Sequence, residues 1–200
     1  MTEASGESVE QTRSRVTEGL SGEVLEVGFG TRRNVAHSPA AITRVLAVEP
    51  VTRARSIAAP RVHRSAVPIE YVGLDGQQLP LPDASIDHVL ITWTLCTIPA
   101  VARALTEIER VLRPGGTLRF VEHGRSRQVR TSRRQDRLTP LWGKVAGGCH
   151  LNRSIPDLIA GSGLSMTDLH TYQVPHTGPS ASCSKDRRPN SRSPDASYLS

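Results

Sequence analysis

The chain has 200 residues, 37% of them apolar, and carries 25 Lys and Arg against 19 Asp and Glu for a net charge of +6. That is enough for one core of ordinary domain size and too little for two. No apolar run approaches the ~18 residues of a membrane-spanning helix, and three cysteines without CxxC spacing (Cys96, Cys149, Cys183) argue against a disulfide framework.

Residues 1–20 read as a polar arm or short helix, with Val9, Val16 and Leu20 as its apolar points, and no function attaches to them. The polar opening lacks the greasy core of a secretory signal, so a cytoplasmic location is expected. From Glu23 onward short β-rich runs alternate with helical segments, the pattern of a parallel sheet covered on both faces. Strands are expected over 24–27, 44–49, 69–73 and 87–92. Val101, Leu105, Ile108 and Leu112 repeat at helical spacing, and Pro114, Gly115 and Gly116 stop that helix before a fifth strand at 117–122. Ser154 and Asp157 flank Pro156 at the start of a short helix that Gly161 and Gly163 end, and a last strand is expected over 166–174. Residues 177–200 hold seven serines and three prolines with almost nothing apolar. Burial cannot offset their ordering entropy, so they read as a disordered tail, and the domain is expected over 21–176.

The strongest local signal is Glu26-Val27-Gly28-Phe29-Gly30-Thr31, where a strand turns into a helix. Glycines there let backbone approach a ligand, and the following amides are free to donate. A dinucleotide fingerprint would need a third glycine where Arg33 stands. The second strand ends in Glu49, a carboxylate placed to accept the hydroxyls of a ribose, and the third leads to Asp75-Gly76, where an acid could accept from an adenine amine. Each feature has a plainer reading: a packing turn, an exposed strand-end acid, an Asp-Gly turn. Together they occupy the carboxyl ends of successive parallel strands, where open α/β sheets bind ligands.

The segments LEVGFGT, GLDGQQLPLPDASIDHVLITWTLCTIP, LTEIERVLRPGGTLRFVEHG and QDRLTPLWGKVAGGCHLNR carry a resemblance. The chain resembles a class I S-adenosylmethionine-dependent methyltransferase of the ubiquinone/menaquinone-biosynthesis type, and within it the bacterial relatives of the methyltransferase-like seven thiol methyltransferases. The acidic GxG turn and RVLRPGG are shared widely in that superfamily, whereas LCTIP, EHG and GGCHLNR are much narrower. The resemblance implies a Rossmann-like α/β fold, a mostly parallel sheet with helices on both faces, and S-adenosyl-L-methionine as cofactor. It implies that Glu26 holds the methionine amino group, Gly28 and Gly30 line the cofactor, Glu49 binds ribose, Asp75 and Gly76 address adenine, and Thr92 and Thr94 sit near the methionine portion and the acceptor. The acceptor is expected to be a small, apolar thiol, hydroxyl or quinol-like carbon. Glu122, His123 and His150 are the candidate bases should it arrive protonated.

Cys149-His150, adjacent and without a second pair, is poor zinc spacing, so no metal is expected. Cys96 reads as a buried small hydrophobe, and Trp93, Leu141 and Trp142 as packing residues or an apolar acceptor pocket. The arginine run from Arg125 to Arg137 reads as the start of a mobile lid rather than a phosphate-binding surface, and no nucleic-acid partner is expected. The chain departs from its relatives at Arg32, where the family carries a third glycine, at Gln77, where many have an acid, and at Arg134, where near relatives have tryptophan. The polar tail leaves the family's last antiparallel strand without an evident source. These departures motivate two rival readings: a cofactor-binding protein without turnover, or a nucleic-acid-associated protein using the arginine run.

Overall fold

The computed structural model describes residues 9–126, 128–172 and 181–187. Five strands run parallel: β1 (Gly22–Val27), β2 (Ile42–Val48), β3 (Ile69–Gly73), β4 (Ile86–Thr92) and β5 (Leu112–His123), in the spatial order β3-β2-β1-β4-β5. Beyond β5 lies β7 (Ala181–Arg187), antiparallel to it, and then β6 (Met166–Tyr172), antiparallel to β7. The inner strands are near-continuous apolar runs because both faces of the sheet are covered. Leu25, Val27, Leu46, Val48, Val89, Ile91, Leu118 and Phe120 face a layer containing α3 (Val101–Val111) and α5 (Ile155–Ala160). Their alternates Val24, Val45, Ala47, Leu90 and Val121 pack with Val16 of α1 (Val9–Thr17), with Leu20, and with Ala58 of α2 (Thr52–His63). In α3 Ala104, Leu105, Ile108 and Val111 are wholly buried, but Leu112, expected in the same helical stripe, instead begins β5, which runs through Pro114, Gly115 and Gly116 rather than starting after them.

The order reverses between β1 and β4, so the loops leaving their carboxyl ends diverge and open a crevice at the sheet's upper edge. Arg110, near the end of α3, braces the connection from β3 to β4. Its guanidinium donates to the carbonyls of Leu79 (2.9 Å) and Leu81 (2.7 Å) and to Asp83 and Glu107, while Glu107 accepts from Leu79 N (2.8 Å). The proline-rich connection from β3 to β4 is thereby tied to the helix.

One expectation needs correction. The sheet does not lack its antiparallel strand, because residues within the polar stretch 177–200 form β7, paired from Thr117↔Arg187 to His123↔Ala181. A strand between two neighbours is held by backbone ladders on both edges, which no hydrophobic pattern announces. Residues 177–180 and 188–200 of that stretch, and 173–174 of the expected last strand, lie outside the described residues. Within the opening segment, read as an arm or short helix, α1 is that short helix, and it buries Thr12, Arg13, Val16 and Thr17. Arg130, Arg133, Arg134 and Arg137 of the arginine run lie in a 17-residue helix, α4 (Val129–Val145), whose Asp136 pairs with Arg125 just before it (2.6 Å).

Candidate active site

A cavity of about 880 Å³ lies at the carboxyl ends of β1, β2 and β4, within the size range of small-molecule sites. Its floor starts at Gly28, whose φ of +77° is a left-handed conformation that strongly favours glycine. A Cβ there would stand 2.0 Å from Oγ1 of Thr94, so the β1 loop and the β4 loop touch only because position 28 has no side chain. Glu49 closes the β2 side: its Oε2 accepts from Gly30 N (2.6 Å) and its Oε1 from Val51 N (2.8 Å), which orients the carboxylate beside the glycine turn.

Asp75 is exposed at the cavity rim, and its Oδ1 accepts from both the backbone N (2.8 Å) and the side-chain Nε2 (2.9 Å) of Gln77. These hydrogen bonds hold its carboxyl below the usual range. Gln77 also accepts from Ala100 N through Oε1 (2.8 Å). An amide can donate to Asp75 and accept from Ala100 at once, whereas an ionised acid has no proton to donate. Gly76 packs onto Val27, whose Cγ1 would be 2.8 Å from an added Cβ.

Beneath the methionine side expected from the resemblance, four polar groups interlock. Asn34 Nδ2 donates to Glu26 Oε1 (2.7 Å) and to Thr92 Oγ1 (2.9 Å), and Arg13 Nη1 donates to Asn34 Oδ1. The Arg13 guanidinium lies 4.6 Å from the ring centre of Trp93. Glu26 is 3% exposed, and burial pushes its carboxyl up to about 8 despite the Asn34 hydrogen bond and the nearby arginines.

Gly28, Gly30, Glu49, Asp75, Gly76, Thr92 and Thr94 therefore all line one cavity, as do Arg13, Asn34 and Trp93, while Glu26 lies behind Asn34 and Thr92. Arg13 and Asn34 escaped the sequence reading, since no spacing rule connects a residue of α1 or a loop asparagine to a GxG turn. Arg32 adopts φ +67°, a backbone conformation that favours glycine, yet its half-buried side chain is not among the cavity-lining residues. Its charge acts instead on Glu26 and Tyr71 and opposes Arg61 and Arg64.

None of the three candidate bases lines the cavity. Glu122 is fully buried and accepts from the amides of Thr94 (2.6 Å), Leu95 (2.7 Å) and Cys96 (3.3 Å). Burial raises its carboxyl to about 7, and those three donors oppose the rise. His123 has a buried Nδ1 without a partner, and desolvation lowers its imidazolium pKa. His150 donates its backbone N to Cys96 O (2.8 Å). From the same GGCHLNR segment, Arg153 donates to the carbonyls of Leu95 and Ile98. The three narrow motifs thus meet: Glu122 holds the amides of the 94–96 turn, and the GGCHLNR segment holds its carbonyls. Trp93 joins the cavity wall, whereas Leu141 and Trp142 are exposed on α4 and form neither core nor pocket. No cluster of three or more His, Cys, Asp or Glu side chains able to hold a metal is found among the described residues.

The family described as "Methyltransferase domain" matches residues 25–120, the stretch holding every expected cofactor-binding residue. The chain is 35% identical over 143 residues to the thiol S-methyltransferase TMT1B of Rattus norvegicus, covering 68% of this chain and 57% of that protein. Against the thiol S-methyltransferase TMT1A of Homo sapiens it is 32% identical over 165 residues, covering 78% and 66%. The chain belongs to the class I S-adenosylmethionine-dependent methyltransferases. It spans rather more than half the length of the rat relative. The fold is matched at TM-score 0.75 by a Bacillus halodurans protein described as a "putative methyltransferase", at 16% identity and over 90% of this chain and 99% of that one.

Proposed function

We propose that the cavity binds S-adenosyl-L-methionine and that the chain transfers its methyl group to a small apolar thiol. The carrying observation is that Glu49 and Asp75, from the ends of β2 and β3, line one cavity floored by a glycine that admits no side chain, while Glu26 at the end of β1 backs the cavity-lining Asn34. The residues fit the cofactor. Glu49 is oriented to accept ribose hydroxyls and Asp75 to accept from the adenine amine, with Gly76 beside it packed close on Val27. Asn34, backed by Glu26, faces the amino-acid end, where Arg13 brings a positive charge. Bound there, the sulfonium supplies an activated methyl group, so the protein's task is to align the acceptor and exclude water.

Trp93, Ile98, Pro99, Ala146 and Gly147 give the cavity a largely apolar second wall suited to such an acceptor. No carboxylate or imidazole stands among the candidate bases at this wall, which favours a nucleophile that ionises unaided. A thiol does, with an ordinary pKa of about 8.5, and Arg13 and Arg33 at the cavity favour its thiolate. The relatives named thiol S-methyltransferases support the same choice. The free thiols Cys96 and Cys149 support a reducing, cytoplasmic setting. Among the described residues no helix is long and apolar enough to cross a membrane.

Calorimetry with the cofactor and its demethylated product should give saturable binding; none at millimolar ligand removes the reading. A labelled-methyl assay over thiols, phenols and quinols should favour thiols, with a rate that rises with pH to a plateau set by each acceptor's own pKa. A limb fixed near pH 7 for every acceptor would instead identify Glu122, raised to about 7, as a base and overturn the unaided-thiol mechanism.

A further inference from the structure

Helix α4 is amphipathic the wrong way round for a helix that belongs to a core. It turns Ser132, Gln135 and Thr139 inward and buries them. It is held there by polar bonds: Gln135 Nε2 donates to Gly124 O (3.1 Å), Gln135 Oε1 accepts from Ser126 N (2.8 Å), and Thr139 Oγ1 donates to Gln135 O (2.7 Å). Its apolar side chains face water instead. Leu138, Leu141, Trp142 and Val145 are 53%, 65%, 46% and 74% exposed, and their spacing of i, i+3, i+4 and i+7 makes one continuous stripe. Isolated exposed leucines are ordinary on a protein surface, but a two-turn stripe containing tryptophan is not.

The same outward arc is cationic. Arg130, Arg133, Arg134, Arg137 and Lys144 are all exposed, and among the described residues no ion pair engages them. The helix's one acid, Asp136, is occupied by Arg125 (2.6 Å) and by Asn152 Nδ2 (3.0 Å). We propose that the outward face of α4 docks on an anionic lipid surface, lying in the interface with Leu138, Leu141, Trp142 and Val145 toward the acyl chains and the arginines at the phosphates.

Charge and apolar area together select this occupant. A helix with Trp and Leu on one side and Lys and Arg beside them has the composition of an in-plane interfacial helix, and each basic residue near an anionic leaflet adds attraction. A nucleic acid would engage the arginines and leave Leu141 and Val145 in water. A second copy of the chain meeting face to face would cover the stripe while opposing two cationic arcs. The helix leads directly into Ala146 and Gly147, which line the cavity, so docking would bring the cavity's mouth to the lipid surface.

The full chain should be sedimented with vesicles of phosphatidylcholine alone and of phosphatidylcholine mixed with phosphatidylglycerol. Binding to the mixed vesicles should exceed binding to the neutral ones at least ~10-fold, weaken with added salt, and blue-shift the tryptophan emission. Trp142→Phe should keep most of the binding and lose most of the shift, since the second tryptophan, Trp93, lies at the cavity. Leu141→Ser with Val145→Ser, and separately Arg133→Gln with Arg137→Gln, should each reduce binding about tenfold without altering cofactor affinity. Equal binding to both vesicle types, or binding indifferent to Leu141→Ser with Val145→Ser, overturns the proposal. So does a reversible dimer abolished by the serine variant, or retention on duplex DNA that the serine variant leaves intact, when either occurs without vesicle binding.

Discussion

Glu26 does not touch the cavity, yet it is tied to the cavity wall through Asn34. Buried behind Asn34, it keeps its proton to about pH 8, whereas an unfolded chain would release it near 4.5. The folded state therefore binds the extra proton, and the stability this confers is complete below 4.5 and declines as pH rises toward 8. Glu26→Gln keeps the shape and removes the titration. Urea unfolding across that window should show the wild type losing about 1 kcal/mol or more relative to the variant; parallel curves would mean that Glu26 ionises normally. The placement of Glu49 and Asp75 at the crevice was legible because each follows closely on the carboxyl end of a parallel strand. Arg13 and Asn34 were not, since nothing in their neighbourhood distinguishes them from surface residues until the fold brings them to Glu26 and Trp93.

The turn at 94–99 is the element through which motif and chemistry meet. Its amides point to Glu122, its carbonyls to Arg153 and His150, and its Thr94, Thr97 and Ile98 face the cavity. LCTIP, EHG and GGCHLNR stand out in the sequence as narrow, but their mutual contact does not, because 27 residues separate Leu95 from Glu122 and 58 separate Leu95 from Arg153. Arg153→Ala leaves buried carbonyls unsatisfied and should cost about 1–3 kcal/mol in thermal unfolding. It should also raise KM for the acceptor more than Kd for the cofactor, with partial recovery in Arg153→Lys; equal effects on both ligands would mean that the turn does not shape the acceptor side. Helix α3 was readable from its buried stripe. In α4 the periodicity is equally regular but points outward, so pattern alone could not place it.

Across the whole molecule, the sheet from β3 to β5 follows from apolar runs punctuated by turns, and the crevice follows from their order. The far edge does not follow, because ASCSKDR offers neither alternation nor bulk. Its place rests on backbone pairing of Phe120 with Ser184 on one side and Leu169 with Ser184 on the other. Ser184→Pro, which lacks an amide hydrogen, should lower stability by about 3 kcal/mol by denaturant titration, while Ser184→Thr should be close to neutral. Indifference to proline would show that the ladder contributes little.

That arrangement imposes an order on biosynthesis. The outermost strand, β6, is made before the β7 strand that must wedge between it and β5, so on the ribosome it emerges with no sheet partner while β5 keeps a bare margin. At ~5–20 residues per second the gap is brief, yet during it the nascent chain presents an unclosed template to any passing extended peptide. A factor that shields strand edges near the exit tunnel would find its opportunity in that interval.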